Sequence, residues 1–404
     1  MKKKEIGIGL CGYGAMGRTH AYALAALPYY YDVLPFSARI VAVHTAHADS
    51  AQTAAQALSC RAAATLEELL CDPAVDVVDI CTPNHTHFSV AKEALAAKKA
   101  IYMEKPLCVG AAQARELAAL ATQSGACTQV VFNNRYLSAV LRAKELIDGG
   151  RLGRLLSFHF AYRHQSAVDP RRTPTWKQDA ACGGGVLRDL GPHILDLCVY
   201  LCGPVARAAN GGFDLCGRGQ IGCPTHPDAQ GRPWQTNADE AFYGILRLAN
   251  GASGTIEVSK LATGEDDGLT FAIYGTKGAV RFDLMQLDYL EFFDAQALKT
   301  PQSAAAAGFV RIPCVSRYPA PAAAFPGGAA PGGWLRGHVG AMHAFLTAYA
   351  AGEESGAPFS RGIYRGADRG AVSKRRRCKR GEILTKALQN LTKQGLYPAE
   401  NMPY

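Results

Sequence analysis

Residues 12–17 read Gly12-Tyr13-Gly14-Ala15-Met16-Gly17, between an apolar run from Ile6 to Cys11 and an Ala/Leu-rich run from His20 to Leu27. Three glycines at this spacing, entered from a strand and left by a helix, constrain the chain to begin as a βα unit of a parallel sheet. The first glycine permits the tight turn, the second lets a phosphate approach the backbone, and the third lets the helix pack on the strand. The open helix N-terminus then favours negative charge. The stretch predicts a dinucleotide pyrophosphate on Gly12, Tyr13, Gly14, Ala15, Met16 and Gly17.

Alternating elements follow. After a connection from Pro28 to Ser37, a second strand is expected over Arg39 to Val43, ending in His44-Thr45-Ala46-His47. An acid is common there to bind the adenosine ribose. None is present, which weakens an NAD-only reading and leaves NADP open; Thr45 and His47 would border a 2′-phosphate, although no arginine is adjacent. Helices are expected over 48–58 and 66–70, then a buried strand over 75–81 that ends in Thr82-Pro83-Asn84-His85-Thr86-His87. A further helix (88–97) and strand (100–103) end in Glu104-Lys105-Pro106. Loops at the carboxyl ends of parallel strands are where such sheets bind ligands. A strand-end lysine can point into that cleft, although a solvated surface lysine is the plainer reading.

The stretch 183–196, GGGVLRDLGPHILD, sets three glycines before an apolar helical stripe of Leu187, Leu190, Ile194 and Leu197. Asp189 and His193 are four apart and would share one side of a helix. A carboxylate and an imidazole presented together suit acid–base work on a hydroxyl. The alternative is a structural pair on a core helix.

A chain of 404 residues suggests two domains, and 48% hydrophobic content fits a globular protein. No apolar run reaches bilayer length and no signal-peptide pattern follows Met1, so the expected location is cytoplasmic. Thirteen cysteines form no CxxC pair and no zinc spacing with histidine. Cys182, beside the glycines, reads as a small hydrophobe. Of the net charge of +9, residues 364–404 hold +7, so residues 1–363 carry only +2, unlike the footprint of a nucleic-acid-binding protein. The tail, with Lys374 to Arg380 almost wholly basic, is expected to be out of frame after a one-base shift near Tyr364. A shifted reading can give an Ala/Glu/Ser-rich helix, whereas the alternative is a solvated basic run.

The motifs GYGAMG (12–17), TPNHTH (82–87), EKP (104–106), FNNRY (132–136), Trp176-Lys177, GGGVLRDLGPHILD (183–196) and GTKGAVRFD (275–283) occur in one order across residues 5–363. In them the chain resembles the glucose–fructose oxidoreductase / inositol dehydrogenase (Gfo/Idh/MocA) family. The resemblance implies an α/β protein. Residues 1–128 would form a Rossmann NAD(P)-binding domain, and 129–363 an α/β domain with a large open, mostly antiparallel sheet for substrate binding and for homodimer or homotetramer formation.

It further implies a dehydrogenase for a sugar, polyol or inositol hydroxyl. NAD or NADP would contact 12–17, Thr45, Thr82, Pro83, Asn84, His85, Glu104 and Lys105. Lys105, Asp189 and His193 would be catalytic and would bind substrate together with Arg135 and Trp176. His193 would take the hydroxyl proton, Lys105 stabilise the alkoxide, and Asp189 bind the hydroxyl and orient or charge-balance the other two. Tyr136 and Lys177 are weaker pocket candidates, and Asp196 reads as structural. A non-redox, NAD-dependent glycoside-processing enzyme and a dinucleotide sensor remain alternatives.

Overall fold

The computed structural model describes residues 3–206, 214–297, 308–322 and 330–359. The basic tail and its frame therefore lie outside the described residues. Elements run β1 (Lys4–Cys11), α1 (Ala15–Tyr30), β2 (Phe36–His44), α2 (Ala48–Leu58), β3 (Arg61–Ala62), α3 (Leu66–Cys71), β4 (Val77–Ile80), α4 (His87–Ala96), β5 (Ala100–Met103), α5 (Ala111–Ser124) and β6 (Thr128–Val130). Then follow α6 (Ser138–Asp148), β7 (Leu155–Arg163), α7 (Val186–Asp189), α8 (Gly191–Cys202), β8 (Leu215–Gln220), β9 (Thr225–Pro227), β10 (Pro233–Gln235), β11 (Ala241–Arg247) and β12 (Ser253–Ser259). The last are β13 (Gly268–Gly275), β14 (Gly278–Asp283), β15 (Tyr289–Asp294), β16 (Val310–Pro313) and α9 (Trp334–Ala351).

The first sheet is parallel throughout, in the order β3-β2-β1-β4-β5-β6. All four residues of β4 and of β5 are buried, as central parallel strands covered on both faces require. The order reverses between β1 and β4, so a crevice opens at their carboxyl ends, beside Cys11 and Cys81.

The second sheet has eight strands in the order β16-β15-β14-β13-β7-β12-β11-β8, antiparallel except for the β7–β12 pair. Helices α6 and α8 cover one face, burying Phe158, Phe160, Ile194, Leu197, Phe271 and Leu290 in one core. β9 and β10 form a separate two-stranded ribbon.

Four expectations are corrected. First, helix α1 continues through Pro28 to Tyr30, where a connection was expected; Pro28 sits in the last turn, so its missing N–H breaks little of the helix. Second, β6 completes the first sheet, so a boundary between 128 and 129 would cut through a strand. Third, α9 packs mainly on the first domain: its Val339, Met342, Phe345 and Leu346 join Ile6, Ile8, Leu27 and Tyr102 in that core, while Trp334 at its start reaches the second domain's core. The following segment also flanks β6, with Ser355 Oγ donating to the Thr128 carbonyl at 2.6 Å. Fourth, the stripe through 183–196 is two helices. Leu190 caps both, and Pro192 opens α8 without an N–H to continue α7.

Candidate active site

The crevice between β1 and β4 continues into a cleft of about 880 Å³ that runs on to the second sheet. Gly12 has a φ of +92°, and a Cβ there would meet the Cys81 carbonyl oxygen at 2.6 Å; a Cβ on Gly17 would meet the Gly12 carbonyl oxygen at 2.2 Å. Glycine alone lets strand, turn and helix close up here. Gly14 faces open space, and the α1 N-terminus has neither a side-chain cap nor an acid in its first turn. Its free N–H groups and the room above them fit a dinucleotide pyrophosphate. Gly12, Gly14, Ala15, Met16, Thr45, Thr82, Pro83, Asn84, Glu104 and Lys105 line the cleft.

The remaining expected cofactor contacts lie elsewhere. Tyr13 packs beside Leu10 and Val43 with Arg18 5.5 Å from its ring, Gly17 is buried under the turn, and His85 is outside the cleft lining. At the end of β2, Thr45 and Ser50 hydroxyls lie 2.7 Å apart, with no carboxylate between.

The carboxyl-end loops are tied together. The His87 ring spans the Pro106 and Thr82 carbonyl oxygens, 2.7 and 2.9 Å from its two nitrogens. Asn84 Nδ2 donates to the Gly183 carbonyl at 3.1 Å. Gly183 has a φ of +79°, and a Cβ there would strike the Val109 side chain at 2.6 Å, so the glycine run docks the second domain on the first.

Lys105, Asp189 and His193 meet where the cleft enters the second domain. Lys105 Nζ donates to the Asp189 carbonyl at 2.8 Å and to its Oδ1 at 3.1 Å. Asp189 Oδ2 accepts from Lys177 at 3.1 Å and pairs with Lys260 at 2.8 Å. Burial pushes this carboxyl up, but Lys105, Lys260 and Lys177 together hold it well below the usual carboxylate range.

His193 departs from the expected pairing. Its Nδ1 is buried without a partner, and Asp189 is held by ammonium groups and not by the imidazole. Burial, then the charge of Lys105, lowers the His193 pKa to about 3, against Glu104, Asp189 and Asp267. The ring is thus neutral at neutral pH. Tyr162 packs edge-on to it at 5.8 Å.

Trp176 and Lys177 line the cleft, on a short turn capped by the Thr175 hydroxyl. Arg135 does not. Its Nε donates to Asp196 at 2.7 Å and a second nitrogen binds the Gly356 carbonyl, so the guanidinium is spent on packing, as is Asp196.

Motif reading missed several groups. Lys260 follows β12 with no flanking signature, and only the fold brings it to Asp189. His20, on α1, has Nδ1 2.8 Å from Asp79 and Nε2 3.1 Å from Glu104. Burial pushes His20 down, but Asp79 and Cys81 outweigh it and raise its pKa well above the ordinary value. His20 is therefore an imidazolium. Burial raises Glu104, yet His20 brings it down to about 2. Two donors of His20 are thereby committed, although His20, Glu104 and His338 bring three possible metal donors within 4.8 Å. No described helix is long and apolar enough to cross a membrane.

Residues 6–132 match a family described as "Oxidoreductase family, NAD-binding Rossmann fold", and residues 140–281 match the GFO/IDH/MocA C-terminal domain. Levoglucosan dehydrogenase of Pseudarthrobacter phenanthrenivorans is 30% identical over 303 residues, 71% of this chain and 76% of that protein. Inositol 2-dehydrogenase of Rhizobium meliloti is 28% identical over 275 residues, 67% of this chain and 74% of that protein. A solved levoglucosan dehydrogenase in complex with NADH and levoglucosan superposes with a TM-score of 0.82 at 28% identity, covering 88% of this chain and 93% of that one.

Proposed function

Because the chain belongs to the Gfo/Idh/MocA family of NAD-binding oxidoreductases, we propose that it oxidises a CH–OH group of a sugar or polyol with NAD or NADP. The observation that carries this reading is the meeting of Lys105, from the end of the dinucleotide-binding sheet, with Asp189 and His193 in one cleft. The bound nicotinamide supplies the hydride acceptor.

The protein's own groups handle the proton and the charge. The hydride of the substrate C–H bond would go to that acceptor, and His193, neutral at neutral pH, would take the O–H proton as C=O forms. Lys105 stabilises the negative charge developing on the oxygen. Asp189 holds the Lys105 ammonium by two contacts, side chain and carbonyl, which keeps it aimed into the cleft. Trp176 closes one wall of the sugar site.

Association of two or more copies through the bare face of the second sheet belongs to the same reading. Tyr243 and Ile245 on β11, 49% and 62% exposed, support it. Light scattering tests it: a dimer or larger species that Ile245→Glu dissociates is expected, and a monomeric parent would sink it. The free described cysteines support a reducing, cytoplasmic location.

The test of the central reading is Lys105→Ala. Turnover should fall by about 10²-fold or more, as when an oxyanion-stabilising donor is removed, while NADH binding by fluorescence changes little. Equal loss of cofactor affinity would make Lys105 a cofactor anchor and overturn its catalytic role.

A further inference from the structure

The hydride-transfer reading uses one ammonium group, yet the cleft holds more. Lys105, Arg172, Lys177 and Lys260 all line it. Facing them are Asp189, Asp267 and Glu104. Glu104 shares the buried His20 imidazolium with the closer Asp79, so that trio keeps one spare negative charge. Asp267 accepts a hydrogen bond from the Tyr162 hydroxyl at 2.6 Å and lies 3.2 Å from His164 Nε2. Asp189 directly serves three ammonium groups, at 3.1, 3.1 and 2.8 Å. Its two oxygens can accept all three, but its single charge balances only one.

Over the whole lining, Lys105, Arg172, Lys177 and Lys260 face Asp189, Asp267 and Glu104, which leaves an excess of one positive charge, and three of the four cations converge on the single carboxylate of Asp189. Lys260 is only 6% exposed, and burying an ammonium is costly unless a negative partner is near. Lys177 Nζ reaches the same carboxylate from the turn at Trp176, where its side chain is still 44% exposed and open to an incoming group. Burial lowers the Lys177 pKa, with Lys260 and Lys105 adding to the effect and Asp189 opposing it. Arg172 adds a guanidinium on the same lining. An oxidised nicotinamide bound in this cleft would add further positive charge. A neutral polyol would leave this excess unanswered, whereas an anion would answer it.

We propose that the substrate is an anionic sugar, carrying a carboxylate or a phosphate ester that lies among Lys177, Lys260 and Arg172 while its hydroxyl faces Lys105 and His193. The inference rests on the dehydrogenase reading and narrows its substrate class. The shared chemistry is a compact oxyanion on a polyhydroxylated ring, recognised by charge-assisted hydrogen bonds.

The test is steady-state kinetics on matched sets with NAD and with NADP: glucose, glucuronate and glucose 6-phosphate; galactose and galacturonate. The anionic member of a set should have kcat/KM at least about tenfold above its neutral counterpart, with an advantage that shrinks as salt is raised. The carboxylate and phosphate arms identify which oxyanion is preferred. Lys177→Gln and Arg172→Gln should each lower the anion-to-neutral ratio, chiefly through KM. Neutral sugars oxidised as well as or better than their anionic partners would overturn the anionic class and leave the dehydrogenase reading standing. No reduction of a bound cofactor by any member would overturn that reading and this inference with it.

Discussion

Lys105 and His193 act on each other through charge as well as through a shared substrate. The Lys105 ammonium is, after burial, the main influence holding the His193 imidazole at about 3; Glu104, Asp189 and Asp267 push the other way. Replacing Lys105 with methionine removes the positive charge, so the His193 titration should move upward, measured by NMR on labelled histidine. An unmoved titration would mean that burial alone keeps the ring neutral. At this scale the sequence was partly legible. Lys105, Asp189 and His193 sit in stretches whose spacing marks them. Lys260 and His20 do not, because their roles come from chain crossings of 71 residues to Asp189 and 84 to Glu104, which no local pattern records. Arg135 misled for the opposite reason: its motif neighbours are near the site, but its guanidinium is paired with Asp196.

Among elements, α9 is the one whose place in sequence least suggests its place in space. Phe345 is fully buried, 5.1 Å from the Tyr102 ring of β5. Phe345→Ala should therefore cost about 3–5 kcal/mol, read as a lower urea midpoint, and should weaken the dinucleotide-binding unit. A loss under about 1 kcal/mol would contradict its place in that core. Helices α2, α3 and α4 were expected to within a residue or so and β5 residue for residue, whereas α5 and α6 were not anticipated. Strands β3, β8, β9, β10 and β16 are short or lie at edges, where few side chains are buried to impose alternation, so no local pattern announces them. The break at Leu190 escaped because its apolar spacing continues across it while Pro192 interrupts only the backbone.

The whole molecule carries an acid sensitivity set by buried histidines. His193 and His338 are held at about 3 and His343 at about 4, each chiefly by burial and each below the ordinary value of about 6.5. Their native forms bind fewer protons than the unfolded chain below pH 6.5, so stability should fall as pH drops from about 6.5 to 5. His20 has the opposite sign: its raised native pKa adds stability that is full below 6.5 and lost only as pH rises through the native value. Asp189 and Glu104, held low, lose their contribution only in stronger acid, below the unfolded carboxyl range of about 4. A urea midpoint that stays level or rises between pH 6.5 and 5 would contradict this balance. The same two-domain assembly makes the cleft, and the chemistry assigned to it is most directly tested by the absorbance of reduced nicotinamide. The purified protein is mixed with NAD or NADP and a panel of sugars, sugar acids and inositols, with Lys105→Ala alongside. Net formation of NADH or NADPH with one substrate class, lost in the variant, is the expected result. A folded, cofactor-binding protein that converts a sugar without net reduction of the cofactor, or that converts none, would contradict it.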